Sequence, residues 1–186
     1  MNSERKPRLT GAEAVSDATL LERVAQGEVS AMGALYGRHA AALLRFAKRV
    51  DPQDAEDLLH STFVRVARLS TRYDGRNPSA RAWLFAIMTR VAQERTRSLR
   101  RFARAVTRFS ELPRRQTASM IDTLPDLDRA LATLSTAKRA VLLLAEVEGF
   151  SCQEIATMLR IPVGTVWTRL HHARKELRAV HRESET

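Results

Sequence analysis

One short segment near the carboxyl end carries the side chains best suited to bind a partner. Residues 165–174 place hydroxyl, imidazole, indole and guanidinium groups on the outward positions of a helical pattern. Such groups bond to phosphates and base edges when a helix lies in the major groove of DNA. The pattern therefore predicts a DNA-binding helix, with a helical hairpin bearing a solvated basic face as the alternative. The candidate contacts are Thr165, Trp167, Thr168, Arg169, His171, His172 and Arg174.

Two helices joined by a tight turn must hold these side chains. Ser151 and Glu154 have the spacing of a capping box, which predicts the start of a short first helix. Pro162 suits the first turn of a second helix, because its ring fixes φ near the helical value. Apolar residues then recur at helical period and predict the buried side of that second helix: Val166, Leu170, Ala173 and Leu177.

The charge balance favours a polyanionic partner. Lys and Arg total 31 and Asp and Glu total 21 among 186 residues, which leaves a net charge of +10. Hydrophobic residues make up 44% of the chain, enough for a folded core. No apolar run approaches the roughly 18 residues that span a bilayer, and the amino-terminal segment lacks the apolar centre of a signal peptide. We therefore expect a cytoplasmic protein without membrane insertion.

Several other functions are excluded by the residue types. Cys152 is the only cysteine, and the five histidines show no paired ligand spacing, so neither a disulfide nor a metal site is expected. The sequence contains no glycine-rich phosphate loop and no nucleophile beside a base. We therefore predict no catalytic residues, no cofactor and no enzymatic activity.

Helical segments fill most of the chain and group into two domains. Strand-like alternation is scarce, and glycines and prolines fall where helices should end. Between Arg90 and Arg115, nine arginines face two glutamates while apolar periodicity fades, which is typical of a basic linker. The predicted fold class is all-α, with two small helical domains joined by this linker. The predicted boundaries are a disordered tail at 1–15, a first domain at 16–99, the linker at 100–124, a second domain at 125–180 and a polar tail at 181–186.

Four segments, taken in order, resemble a known family. The first domain contains LLERVAQGEVSAMGALYGRHAAALLRFA, DAEDLLHSTFVRVA and ARAWLFAIMTRVAQERTR, and the second contains LDRALATLSTAKRAVLLLAEVEGFSCQEIATMLRIPVGTVWTRLHHARKELR. With the basic linker between them, they resemble regions 2 and 4 of the small extracytoplasmic-function (ECF) sigma factors of bacterial RNA polymerase. The resemblance implies a subunit that binds core polymerase, recognises promoter DNA at −10 and −35 elements, and helps to melt it.

The resemblance implies a polymerase-docking segment near the start of a third helix. Carboxylates beside an apolar residue suit a basic coiled-coil surface, and in the family this segment binds the clamp helices of the largest subunit. The same acids would also stabilise a helix amino terminus through its dipole, by about 0.3–1 kcal/mol each. His60 and Ser61 stand where relatives often have Gln and an acid. The candidate docking residues are Asp54, Glu56, Asp57, Leu58, His60 and Ser61.

The resemblance also implies a promoter-melting site in a loop and the helix that follows it. An extruded base is held by stacking and edge hydrogen bonds, with cations along the backbone. An Asp-Gly turn followed by a solvated helix is the alternative, and Trp83 is expected in the core. Arg90 and Glu94 replace the Asn and Asp that are frequent in the family. The candidates are Tyr73, Asp74, Asn77, Arg81, Arg90, Glu94 and Arg97.

In the family, the second helix of region 4 recognises the −35 element, and its domain contacts the polymerase flap region. Phosphate contacts should dominate affinity there, while base contacts set specificity. Trp167 and His172 replace cations common in relatives, which predicts an unusual promoter preference; the alternative for Trp167 is contact with a protein partner. Arg160 stands in the turn where Gly is usual, and a positive φ there would cost about 1 kcal/mol.

The resemblance has two further implications for partners. The basic linker suits threading through the polymerase, with a flexible tether as the alternative. Family members are commonly inhibited by an anti-sigma factor, often membrane-bound, so we expect such a partner and retention near the inner membrane. The main competing function is an autonomous helix-turn-helix regulator that binds duplex DNA without polymerase, which would leave the first domain without a role.

Overall fold

Helices account for the regular secondary structure in the residues that the structure describes. This computed structural model describes residues 15–75, 79–109 and 126–184. No helix within these ranges combines the length and apolarity needed to cross a bilayer. The predicted all-α fold class is confirmed. The helices are α1 (Asp17–Ala25), α2 (Val29–Val50), α3 (Ala55–Leu69), α4 (Ala80–Phe109), α5 (Asp126–Thr133), α6 (Thr136–Glu146), α7 (Cys152–Leu159) and α8 (Val163–Ser184), with 3-10 turns at Pro52–Asp54 and Ser70–Arg72.

The first domain begins with a capped helix that is tied to its neighbour. Ser16 Oγ accepts a hydrogen bond from the Thr19 amide at 3.1 Å and so caps α1. Asp17 forms an ion pair with Arg38 at 2.8 Å and a hydrogen bond with His39 at 2.6 Å, both on α2. Burial acts to raise the pKa of Asp17, but hydrogen bonds from Arg38 and His39 outweigh it, so the net shift is downward. These contacts hold α1 across α2.

The core of the first domain forms between α1, α2, α3 and the first half of α4. Phe46 packs edge-on against Phe85, with ring centroids 5.3 Å apart. Tyr36 is 48% exposed, with its ring 4.8 Å from that of Phe63 at the core edge. A tyrosine fits such an edge because its ring packs while its polar end reaches water. Fully buried members include Leu21, Leu35, Leu43, Leu58, Leu84 and Met88.

α4 continues well beyond the packed part of the first domain. It spans 30 residues without a glycine or proline, so residues 100–109, predicted as the start of the linker, are helical. Leu99 and Phe102 are 62% and 70% exposed, so packing fades while the helix continues. Residues 1–14, 110–125, 185 and 186, which include most of the predicted linker and the amino-terminal tail, lie outside the described residues. The domain boundaries therefore stay predictions.

The second domain is built from α5 to α8. Ser135 Oγ caps α6 by accepting a hydrogen bond from the Lys138 amide at 3.4 Å. Arg139 donates to two carbonyls at the α5–α6 turn, at 2.9 and 3.1 Å. Leu127, in the first turn of α5, is 58% exposed and lies outside this core. Buried members include Leu131, Leu134, Val141, Leu144, Ile155, Val166 and Leu170.

The two domains pack against each other, mainly through α4. The Phe85 ring on α4 meets the Phe150 ring, which precedes α7, edge-on at 5.8 Å. Arg139 on α6 donates to the Val50 carbonyl at the end of α2 at 2.9 Å. The second domain therefore covers one face of α4, and we call this the closed arrangement.

Candidate nucleic-acid and polymerase interfaces

A capping box starts the first helix of the helix-turn-helix. The Ser151 hydroxyl accepts a hydrogen bond from the Glu154 amide at 3.2 Å, and the Glu154 carboxylate accepts one from the Ser151 amide at 2.8 Å. Hydrogen bonds from the Ser151 hydroxyl and amide to this carboxylate lower the pKa of Glu154. The predicted capping box is confirmed, and it fixes the residue at which α7 begins.

Arg160 forms the turn between α7 and α8. Its backbone has φ of 56° and ψ of 51°, the only left-handed non-glycine conformation in the described part of the chain. The Ile161 amide donates to the Ala156 carbonyl at 3.0 Å and closes the end of α7. The positive φ considered from the sequence is therefore present, at a cost of about 1 kcal/mol relative to glycine.

α8 presents most of the predicted −35 contacts on one exposed face. Its opposite side is buried through the predicted apolar stripe, with Leu177 half-buried at the end. Thr165 and Arg169 are half-buried, so they are less open to a partner than the sequence predicted. The exposed members form what we call the recognition face: Trp167, Thr168, His171, His172 and Arg174.

The recognition face offers both rings and polar atoms. Trp167 leaves 60% of its surface exposed. The rings of His171 and His172 lie next to each other, with centroids 5.6 Å apart. Imidazole nitrogens can donate or accept hydrogen bonds, whereas the indole N–H only donates. The face can therefore pair with donors and acceptors of base edges and with phosphate oxygens.

Arg174 already has an acidic partner within the second domain. Its Nε donates to Glu146 Oε1 on α6 at 3.1 Å, and its Nη2 makes a second close contact with the same oxygen. The two side chains are 51% and 49% exposed, and ion pairs at such positions are weak. A phosphate can therefore replace Glu146 without leaving a buried charge unpaired.

Two exposed cations extend the same side of α8 and were missed by the sequence analysis. Lys175 and Arg178 follow His171 by four and seven residues, and both are exposed. Helical spacing of four and three residues puts side chains on one face. The spacing of these two cations was visible in the sequence, but the predicted set of contacts ended at Arg174.

One predicted −10 contact, Arg81, lies in the domain interface. Its Nη2 donates to the Glu148 carboxylate at 2.6 Å. Its guanidinium also lies over the rings of Phe85 and Phe150, 5.1 and 4.6 Å from the centroids. Arg81 therefore joins α4 to the segment before α7, a contact between residues 67 apart that helical periodicity could not indicate.

A second predicted −10 contact, Arg90, lies in the same interface. Its Nη2 donates to the Met158 carbonyl of α7 at 3.0 Å. Burial lowers the pKa of Arg90, and the nearby positive charge of Arg160 acts in the same direction. Arg81 and Arg90 are thus both engaged by the second domain.

The remaining −10 candidates are spread over the start and the outer side of α4. Tyr73 packs against half-buried Trp83 with ring centroids 5.3 Å apart, so Trp83 lies at the edge of the core. Burial raises the pKa of Tyr73, and the charge of Asp74 adds to the shift. Asp74 is exposed, and Asn77 lies outside the described residues.

Farther along α4, one groove gathers most of the exposed cations of this helix. Glu94 forms an ion pair with Arg65 of α3 at 2.5 Å. Arg97 shares the groove with Glu94 and with three arginines that the sequence analysis had placed in the linker: Arg100, Arg101 and Arg104. Because α4 remains helical through this stretch, the four cations share one side of a single helix.

The predicted docking segment has an exposed acidic part and a buried apolar part. Leu58 is fully buried, so it holds α3 in the core and has no surface to offer a partner. Glu56, Asp57 and His60 are exposed, and Ser61 is half-buried. Asp54 forms an ion pair with Arg95 of α4 at 2.9 Å, which ties the segment to the first domain.

An acidic groove surrounds this docking segment. Its charged lining consists of Asp54, Glu56 and Asp57, Asp128 of α5, which was not among the predicted residues, and one cation, Lys48 of α2. The carboxylates of the groove present negative charge to a cationic surface. Within the described ranges, no group of three or more His, Cys, Asp or Glu side chains could hold a metal ion.

Comparisons with known proteins agree with this two-part arrangement. The model of sigma-70 region 2 matches residues 35–102, and the model of sigma-70 region 4 matches residues 124–177. The chain is 36% identical over 166 residues to the ECF RNA polymerase sigma factor SigL of Mycobacterium tuberculosis, covering 86% of this chain and 93% of SigL.

Solved structures show the same fold. CnrH in complex with the cytosolic domain of CnrY superposes with a TM-score of 0.64 at 28% identity, covering 90% of this chain and 97% of CnrH. The sigma factor RpoE of Bartonella quintana, solved with the anti-sigma factor NepR, superposes with a TM-score of 0.57 at 24% identity, covering 76% and 91%.

The match to region 2 decides between the two functions left open by the sequence. An autonomous regulator needs only the helix-turn-helix, whereas a sigma factor needs both matched regions. The relatives are sigma factors, which act in transcription initiation as subunits of RNA polymerase. The chain therefore belongs to the ECF sigma factors of the sigma-70 family, which bind core RNA polymerase and direct it to promoters.

Proposed function

We propose that the two domains divide promoter recognition, with the first binding core polymerase and the −10 element and the second binding the −35 element. The observation that carries the proposal is the recognition face of α8. It is an exposed aromatic and polar surface on a helix whose other side is buried, at the end of a capped helix-turn-helix. This is the geometry with which such helices enter the major groove.

For the −35 element, we assign base contacts to the first half of α8. Trp167, His171 and His172 are exposed side by side. The half-exposed Arg174 can exchange its ion pair with Glu146 for one with a phosphate. Because Trp167 and His172 replace the cations common in relatives, fewer phosphate contacts and more ring contacts should form there. The promoter preference of this chain should differ accordingly.

For the −10 element, we assign the contacts to the start and the outer face of α4, after the domains have separated. Arg81 and Arg90 are held by the second domain in the closed arrangement. Arg97 lies in an exposed groove and needs no such change. Binding to polymerase must therefore exchange the domain interface for contacts with polymerase and DNA.

For polymerase docking, we assign the exposed acids of the acidic groove rather than its apolar neighbour. Glu56 and Asp57 are exposed on the first turn of α3, and Asp54 lies beside them. His60 lies exposed one turn farther along. The flap region of polymerase is the expected partner of the second domain, and the part of the basic linker that follows α4 is expected to thread through the polymerase.

We also propose an anti-sigma partner. CnrH, which resembles this chain over most of its length, was solved with the cytosolic domain of CnrY bound. A protein that stabilises the closed arrangement would keep Arg81 and Arg90 away from DNA. The sigma factor would act in the cytoplasm, with retention near the inner membrane if that partner is anchored there.

Paired variants test the division of labour. Replacing Trp167 and His172 by Ala should weaken promoter binding by about 1–3 kcal/mol per lost base contact and lower promoter-dependent transcription accordingly. The affinity for core polymerase should be unchanged. Replacing Glu56 and Asp57 by Ala should weaken polymerase binding itself. Each pair serves as the control for the other. Equal loss of polymerase affinity in both pairs would contradict the assignment.

A further inference from the structure

The exposed side of α8 does not end with the recognition face. Lys175 and Arg178 are exposed, and they line one surface depression together with His171 and Arg182. These four positions are separated by four, three and four residues, so they lie on one side of the helix. We call them the basic stripe. It shares His171 with the recognition face and continues it toward the carboxyl end.

Two acids on α6 and α8 are paired with cations outside the basic stripe. Glu176 on α8 turns toward α6 and forms an ion pair with Lys138 at 2.5 Å. Glu146 on α6 is taken by Arg174. Among the side chains that the structure describes, none forms an ion pair with Lys175 or Arg178. Lys175 and Arg178 therefore present positive charge on the exposed face of α8.

We propose that the basic stripe binds the phosphodiester backbone of the duplex that flanks the −35 element. The inference rests on the proposed recognition of that element by α8. The helix has 22 residues and is roughly 33 Å long, whereas the major groove is only about 12 Å wide. A helix that enters the groove with its first half therefore extends beyond the groove, and its second half can reach a phosphate strand at the groove edge.

The side chains on the exposed side of α8 change along the helix from groups that suit bases to groups that suit phosphates. Rings and a hydroxyl dominate the recognition face, and these groups suit base edges. Lys175 and Arg178 are long cations, which suit phosphates and carry no base preference. Because His171 belongs to both surfaces, DNA bound by the first half of α8 is held against the second half. An acidic protein segment would have to compete with that DNA.

Salt dependence of promoter binding tests the inference. Core polymerase loaded with the full chain is titrated with a promoter duplex found by mapping transcription starts, at several salt concentrations. Each lost phosphate contact lowers the log–log slope by about 0.9. K175A/R178A should therefore bind with a slope less steep by about 1.8, and should lose affinity by the same factor on a duplex with a scrambled −35 element.

Two variants control for charge and folding. K175R/R178K keeps both cations and should keep the wild-type slope. R23A/R45A removes two exposed cations from the first domain and should also leave the slope unchanged. A wild-type slope for K175A/R178A would overturn the inference and would favour an acidic protein segment as the partner of the basic stripe. If wild-type holoenzyme gave no −35 footprint, the assignment of α8 itself would fail.

Discussion

The ion pair between Glu148 and Arg81 should be a principal connection between the two domains, and Glu148→Ala tests it. The carboxylate of Glu148 lies two residues beyond the end of α6 and binds an arginine of α4 at 2.6 Å. The variant removes the acid and leaves the cation, so Arg81 remains available to DNA. We expect Glu148→Ala to weaken the closed arrangement without removing a proposed promoter contact.

The expected magnitude follows from the exposure of the two side chains. The Glu148 side chain is only 9% exposed, whereas that of Arg81 is 42% exposed. A hydrogen bond to a charged group contributes about 1.5–3 kcal/mol. Because Arg81 can be rehydrated and still lies over two aromatic rings, its loss of the carboxylate should not leave a stranded buried charge. We expect destabilisation of about 2 kcal/mol, or a melting temperature lower by about 4–8 °C for a chain of this size.

Glu146→Ala is the matched control, because Glu146 lies two residues earlier and its pair with Arg174 is half-exposed within one domain. That pair should contribute no more than about 1 kcal/mol. Urea unfolding measures both variants, and small-angle X-ray scattering measures the separation of the domains. Glu148→Ala should increase the radius of gyration, and Glu146→Ala should not. Equal destabilisation by both variants, or an unchanged radius for Glu148→Ala, would refute the reasoning.

Three other expectations concern stability. Leu58→Ala should destabilise the chain by about 2–5 kcal/mol in urea unfolding, because the side chain is fully buried, whereas Asp57→Ala should stay within about 0.5 kcal/mol. Arg160→Gly should raise the free energy of unfolding by about 0.5–1 kcal/mol, because glycine adopts the left-handed backbone without strain; an unchanged or lower value would count against that cost. The pKa of Asp17 is lowered from its ordinary value of 3.8, so its pairing stabilises the fold above that pH and is lost as pH falls through the lowered pKa. Asp17→Asn should reduce the fall in melting temperature between pH 5 and pH 2, and an unchanged fall would argue against the pairing.

Local features of the fold could be predicted from the sequence because they depend on neighbouring residues. The capping box of Ser151 and Glu154 and the buried stripe of α8 both follow from spacings of three or four residues. The exposed recognition face follows from the same stripe, because a helix with one buried side presents the other. Five of the seven −35 candidates are exposed on this face, and Thr165 and Arg169 are half-buried at its flanks.

Features that depend on the packing of distant segments could not be predicted. Periodicity gave no reason to pair Arg81 with a glutamate in the other domain, or Arg90 with a carbonyl of α7. Leu58 stood among acids and was assigned to a docking surface, although three-dimensional packing buries it. Arginine-rich composition indicated a linker from residue 100, but arginine is a good helix former, and α4 continues through Phe109.

Transcription with purified core polymerase tests the central claim most directly. Fragmented genomic DNA from the source organism is transcribed with and without the chain, and RNA 5′ ends are mapped by sequencing. The account predicts new start sites only when the chain is present, preceded by two shared motifs at the spacing of −10 and −35 elements. An absence of new start sites with natively folded chain and active core polymerase would contradict it.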